Sequence, residues 1–184
     1  MPAILNSFLL VAATEMGDKT QLLAFVLATR FRNPWAVMSG IFVATILNHS
    51  LAAFFGSWVS EAIPQVYLKW ILAATFIGFA LWILIPDKDN GEDKNHSYGA
   101  FLTTLVTFFL AEMGDKTQLS TVMLAAKFDS VILVTIGTTL GMMFSDGLAV
   151  VFGEKITEKI SMKWIRYISA FMFVAFGVGI IFGF

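Results

Sequence analysis

The chain reads as an all-α integral membrane protein, with six transmembrane helices arranged as two inverted three-helix repeats. Three observations carry that expectation. Of 184 residues, 58% are hydrophobic and only 14% charged, with a mean hydropathy of +0.79. Ordinary soluble domains carry about 25% charged residues, and a globule of this size cannot hide so much apolar surface in one core. Charged residues and turn formers divide the chain into six long apolar stretches, and one eight-residue string occurs twice.

The stretches cover residues 4–29, 35–59, 66–85, 98–125, 129–152 and 164–183. Each reaches the ~20 residues that cross a ~30 Å hydrocarbon layer as a helix, and each exceeds the ~10-residue alternating strands of an outer-membrane barrel. The first stretch has no Lys or Arg before Glu15. It lacks the positive flank of a cleaved signal peptide and is expected to stay in the protein. Arg30-Phe31-Arg32-Asn33-Pro34 closes it, residues 61–65 close the second, and an acidic linker at 86–97 follows the third. Trp35, Trp58, Trp70 and Trp164 stand near stretch ends, where an interfacial aromatic belt belongs.

Orientation follows from the positive residues. Arg30, Arg32, Lys88, Lys94, Lys155, Lys159, Lys163 and Arg166 fall on one side, and only Lys69 and Lys127 on the other. The positive-inside rule puts the first group in the cytoplasm and both termini outside, in a multi-pass protein of the cell inner (plasma) membrane. A net charge of −1 gives no electrostatic case for nucleic acid as a partner. The absence of cysteine excludes disulfides, thiolate metal sites and cysteine nucleophiles.

Glu15-Met16-Gly17-Asp18-Lys19-Thr20-Gln21-Leu22 recurs as Glu112-Met113-Gly114-Asp115-Lys116-Thr117-Gln118-Leu119, an offset of 97 that also pairs Gly40 with Gly137 and Ala52 with Ala149. Residues 1–85 then form repeat 1 and 98–184 repeat 2. Three helices per repeat force the second into the bilayer upside down, an architecture that recurs in transporters with a midplane site.

The repeated string places Glu15, Asp18, Glu112 and Asp115 near mid-membrane, where ionisable groups face a bundle interior or a cavity. An i, i+3 spacing puts both carboxylates of a motif on one helix face, while Gly17 and Gly114 permit close crossing or local unwinding. Inverted symmetry brings the two motifs face to face, with Gln21, Gln118, Thr20 and Thr117 as further oxygen donors. Such a set requires cations or protons for neutrality, and a hard dication such as Mn²⁺ or Ca²⁺ suits it. Lys19 and Lys116 either neutralise part of the charge or point toward the interface. Asn48-His49 and Ser145-Asp146 occupy equivalent places in the second and fifth stretches. Asp146 and His49 are candidates for a proton relay or for completing the ion's shell. Met16 and Met113 are weaker ligand candidates, because methionine usually fills core gaps.

The two E-x-G-D-K-T strings, Glu15 to Thr20 and Glu112 to Thr117, resemble the hallmark of the family once called uncharacterised protein family 0016. That family includes bacterial manganese exporters and Golgi calcium/manganese–proton exchangers, and the resemblance covers essentially the whole chain. It implies a cation antiporter and not an enzyme, with Glu15, Asp18, Glu112 and Asp115 at the ion site, no cofactor, and H⁺ as counter-ion. It also implies Mn²⁺ ahead of Ca²⁺, since no extended leader precedes the first stretch. A passive channel lined by acidic residues and an intramembrane metal-dependent hydrolase are the alternatives. The hydrolase lacks an H-E-x-x-H or serine–histidine motif.

Overall fold

A computed structural model describes residues 2–84, 99–152 and 162–182, and all of their regular structure is helical. In chain order the helices are α1 (Pro2–Glu15), α2 (Lys19–Phe31), α3 (Pro34–Ala62), α4 (Gln65–Ile83), α5 (Ala100–Glu112), α6 (Lys116–Phe128), α7 (Val131–Phe152) and α8 (Met162–Phe182). The linker at 86–97 lies outside the described residues, as do Lys155 and Lys159.

Two expectations change here. The first and fourth apolar stretches are not continuous helices, because each breaks at its repeated motif into α1–α2 and α5–α6. The reason is local. Gly17 and Gly114 take left-handed backbone angles, φ of 81° and 82°, which glycine adopts without the steric penalty that a Cβ brings. The next residues, Asp18 and Asp115, are extended and begin the following helix. Glu15 therefore ends one helix while Asp18 opens another. The two carboxylates of a motif do not share one helix face, since the i, i+3 rule holds only along an unbroken helix.

The connections repeat as faithfully as the breaks. Arg32 (φ 51°) and Asp129 (φ 47°) both adopt the left-handed conformation just after a helix, and their N–H groups donate to Ala28 O and Ala125 O. That arrangement satisfies carbonyls orphaned at the helix end. Asn33 then accepts from Ala36 N at 3.2 Å and Pro34 supplies the first turn of α3.

The polarity of the bundle is inverted relative to a soluble fold. On α3, Thr45, Asn48 and His49 face inward and are fully buried, while Phe42, Leu47, Leu51, Phe54, Phe55 and Trp58 face outward. A contiguous outer apolar surface of this kind suits a lipid environment. Among the described residues, α3 and α7 are each long and apolar enough to cross a membrane. Trp35, Trp58, Trp70 and Trp164 are all exposed.

Packing across the halves is reciprocal: α3 lies against α5 and α6, α7 against α1 and α2, and α4 against α8. Glycines set the closest approaches. A Cβ on Gly40 would stand 2.8 Å from Phe101 O, and one on Gly137 would stand 2.6 Å from Ile4 O. Phe101 and Ile4 are themselves related by the same 97-residue offset. Further along α3, Asn48 meets Phe109, and Gly56 meets Val122 and Ala125. The contacts advance together, so α3 and α5–α6 run in the same direction. The motif-2 break, at residues 113–115, lies level with the turn of α3 just beyond Asn48. Outside this centre, Phe76 of α4 packs against Phe173 and Phe176 of α8, with ring centroids 5.8 and 5.7 Å apart.

Candidate cation site

Both helix breaks fall at the buried centre of the bundle. The carboxylates of Glu15 and Glu112 are 1% exposed, Asp146 is fully buried and Asp115 is buried, while Asp18 is half-buried. Burying this many carboxylates without compensation is costly, which marks the place as more than packing. Glu15 lies within electrostatic reach of Asp18, Asp146 and Asp115, and Glu112 feels Glu15, Asp115, Asp146 and Asp18.

Each motif braces its own break in the same way. Gly17 N donates to Gln21 Oε1 at 2.7 Å, and Gly114 N donates to Gln118 Oε1 at 2.6 Å. The glutamine carbonyl thus satisfies an amide that the left-handed turn removes from the helix ladder. Asp18 N and Asp115 N donate to Glu15 O and Glu112 O at 3.1 and 3.2 Å. Neither aspartate side chain caps its own helix. Gln21 and Gln118 therefore hold the backbone with their amide oxygens. Gln21 also donates through Nε2 to Ser145 O of α7 at 3.0 Å, which ties motif 1 to the residue before Asp146.

The carboxylates themselves differ. Glu15 accepts from Thr20 Oγ1 at 2.8 Å and, through its other oxygen, from Thr117 Oγ1 of the opposite motif. Glu112 makes no hydrogen bond with either oxygen, and neither does Asp146. His49 is likewise fully buried with both ring nitrogens unbonded, and Asn48 donates to Phe109 O at 3.0 Å. Lys116 is buried, Met16 is half-buried and Met113 is exposed, while the side chain of Lys19 lies outside the described ones. Among the described residues, no three Asp, Glu or His side chains are drawn together tightly enough to hold a metal ion in this conformation.

Two buried hydroxyls went unnoticed in the sequence. Ser7 and Thr104 pack under Gly137 and Gly40, and they too are 97 residues apart. Extending the offset to every small polar residue, not only to the motif, would have picked them out.

This paired geometry belongs to a known group. The family model described as divalent cation/proton antiporter GDT1 matches residues 3–91 and 100–183. The chain belongs to this family. GDT1 proteins are membrane transporters and not enzymes, and the two matched blocks correspond to the two halves that carry the motifs. The chain is similar to a Vibrio cholerae protein named "Putative manganese exporter", at 41% identity over 95% of this chain and 88% of that protein. It is also similar to GDT1-like proteins of Synechocystis (27% identity, 97% of this chain and 96% of the relative) and of Arabidopsis thaliana (27% identity, 96% and 69%). No solved structure matches the chain.

Proposed function

We propose that this member of the GDT1 family exports Mn²⁺, with Ca²⁺ as the second candidate, in exchange for protons at a single site formed by Glu15, Asp18, Glu112 and Asp115. The observation that carries the reading is the pair of broken helices. Two half-helix junctions, each opened by a left-handed glycine, present buried carboxylates to the same interior. Discontinuous helices of this type build midplane ion sites in transporters.

In this reading, residues 1–85 and 98–184 are two inverted three-helix repeats, and each broken helix counts as one of six membrane crossings. The parallel course of α3 and α5–α6 supports that arrangement, since α3 turns back immediately after α2. Both termini then lie outside the inner membrane. A C-terminal reporter active only on the outer side gives signal on this assignment, whereas a cytoplasmic C-terminus rejects it.

Protons and a dication compete for the same carboxylate oxygens, so acidification releases the metal. Ion-loaded and proton-loaded sites are electrically compensated and can reorient, whereas the empty anionic site is held back by its buried charge. That rule alone makes the cycle an exchange. Asp146 is assigned as a proton-relay residue beside motif 1, with Thr20, Thr117, Asn48, Lys19 and Lys116 in supporting positions. In sealed vesicles, an imposed proton gradient drives Mn²⁺ uphill, and a protonophore abolishes the accumulation. Flux that only runs downhill, indifferent to the protonophore, would make the protein a channel. Asp146→Asn weakens the coupling more than it weakens Mn²⁺ binding.

A further inference from the structure

His49 differs in kind from its repeat partner. The 97-residue offset pairs it with Asp146. Both are fully buried, and neither makes a hydrogen bond with any polar atom of its side chain. A neutral imidazole carries one donor and one acceptor. Leaving both unmet in a buried place is costly, so such a group calls for an explanation.

Register supplies one. Along α3, Asn48 is fastened to Phe109 O, one turn before Glu112, and Gly56 packs on Val122 and Ala125, beyond the break. His49 follows Asn48 on α3 and so lies one residue nearer the level of the motif-2 junction. Its counterpart Asp146 follows Ser145, whose carbonyl is fastened to Gln21 of motif 1. Asp146 lies within electrostatic reach of Glu15 and Glu112. By the repeat, His49 stands to motif 2 as Asp146 stands to motif 1, a bare imidazole in the place of a bare carboxylate.

The two donors select different ions. Ca²⁺ takes six to eight oxygen ligands, and Mg²⁺ is bound through carboxylates, phosphates and water. Imidazole is a ligand of first-row transition dications. We propose that His49 is the specificity-determining ligand of this site, a nitrogen donor that makes it prefer first-row transition dications to Ca²⁺ and Mg²⁺. The inference rests on the cation-site reading above and adds the class of ion that the site takes.

Paramagnetic Mn²⁺ is the probe. The full chain in lipid nanodiscs is loaded with Mn²⁺, and electron spin echo modulation is recorded with natural-abundance and with ¹⁵N-labelled histidine. The expected result is a nitrogen modulation that changes with the label and disappears in His49→Gln, in which the chain's other histidine, His96, is retained. Competition by Ca²⁺ in the same samples should show the Mn²⁺ preference falling by at least ~10-fold in the variant, the loss typical when a metal ligand's support is removed. Bound Mn²⁺ without a histidine signal overturns the inference and leaves the cation site standing. So does a His49→Gln protein that loses both ions equally. A wild-type chain that binds no Mn²⁺ overturns both. Should His49→Gln fail to fold, the labelling comparison on a His96→Gln chain, in which His49 is the sole histidine, decides alone.

Discussion

Motif 1 and motif 2 share eight identical residues and one backbone design, yet their carboxylates live in different surroundings. Both junctions have a left-handed glycine and a glutamine oxygen on the glycine amide. Hydroxyls from both motifs, however, converge on Glu15, through Thr20 and Thr117, while Glu112 has none. The backbone is symmetric and the hydrogen bonding is not. A two-fold arrangement that two identical motifs permit is resolved here to one side.

The largest test of that comparison removes the charges. Glu15→Gln and Glu112→Gln should each weaken Mn²⁺ binding by at least ~1.5 kcal/mol, the lower range for a charged hydrogen-bond partner, and both should stop proton-driven uptake. Near-equal losses mean that the motifs serve as equivalent ligands, whereas loss in only one means that their roles have diverged. The same pair should differ in metal-free thermal stability. Glu112→Gln removes an uncompensated buried carboxylate, whereas Glu15→Gln weakens two hydroxyl bonds. The Glu112 variant should melt higher than the Glu15 variant in a detergent-solubilised melting assay.

Next in size are the glycines at the helix crossings. Gly40→Ala and Gly137→Ala drive a methyl group into Phe101 O and Ile4 O. Each should cost about 1–3 kcal/mol as overpacking, and the two should match. A wide disparity in melting temperature would break the reciprocal packing of α3 on α5 and of α7 on α1.

Smaller effects sharpen the hydroxyl asymmetry. Thr117→Val removes the bond that joins the two motifs and should destabilise the metal-free protein by about 1.5 kcal/mol. Gly114→Ala has open space around the new methyl group but a φ of 82°. It should lose about 1 kcal/mol from backbone strain alone, read as a modest drop in melting temperature with transport retained.

Much of this arrangement was visible in the residues. The 97-residue offset relates the motifs, the crossing glycines and the left-handed residues Arg32 and Asp129, and mid-stretch carboxylates announce an interior site. Hydropathy could not reveal the helix breaks. Leu10 to Leu22 reads as apolar sequence around a short polar motif, and a single left-handed glycine leaves no periodic trace. Because of the break, Glu15 and Asp18 belong to different helices, and Gln21 braces the turn between them. The Thr117–Glu15 bond was also out of reach, since identical motifs carry no information about which carboxylate two hydroxyls choose.

Whether the two motifs form one site or two is decided by counting ions. Equilibrium binding of Mn²⁺ to the full chain in nanodiscs should give one ion per chain, and that ion should be lost on either Glu15→Gln or Glu112→Gln. Two ions per wild-type chain, with one retained at undiminished affinity in each single variant, would contradict the shared site.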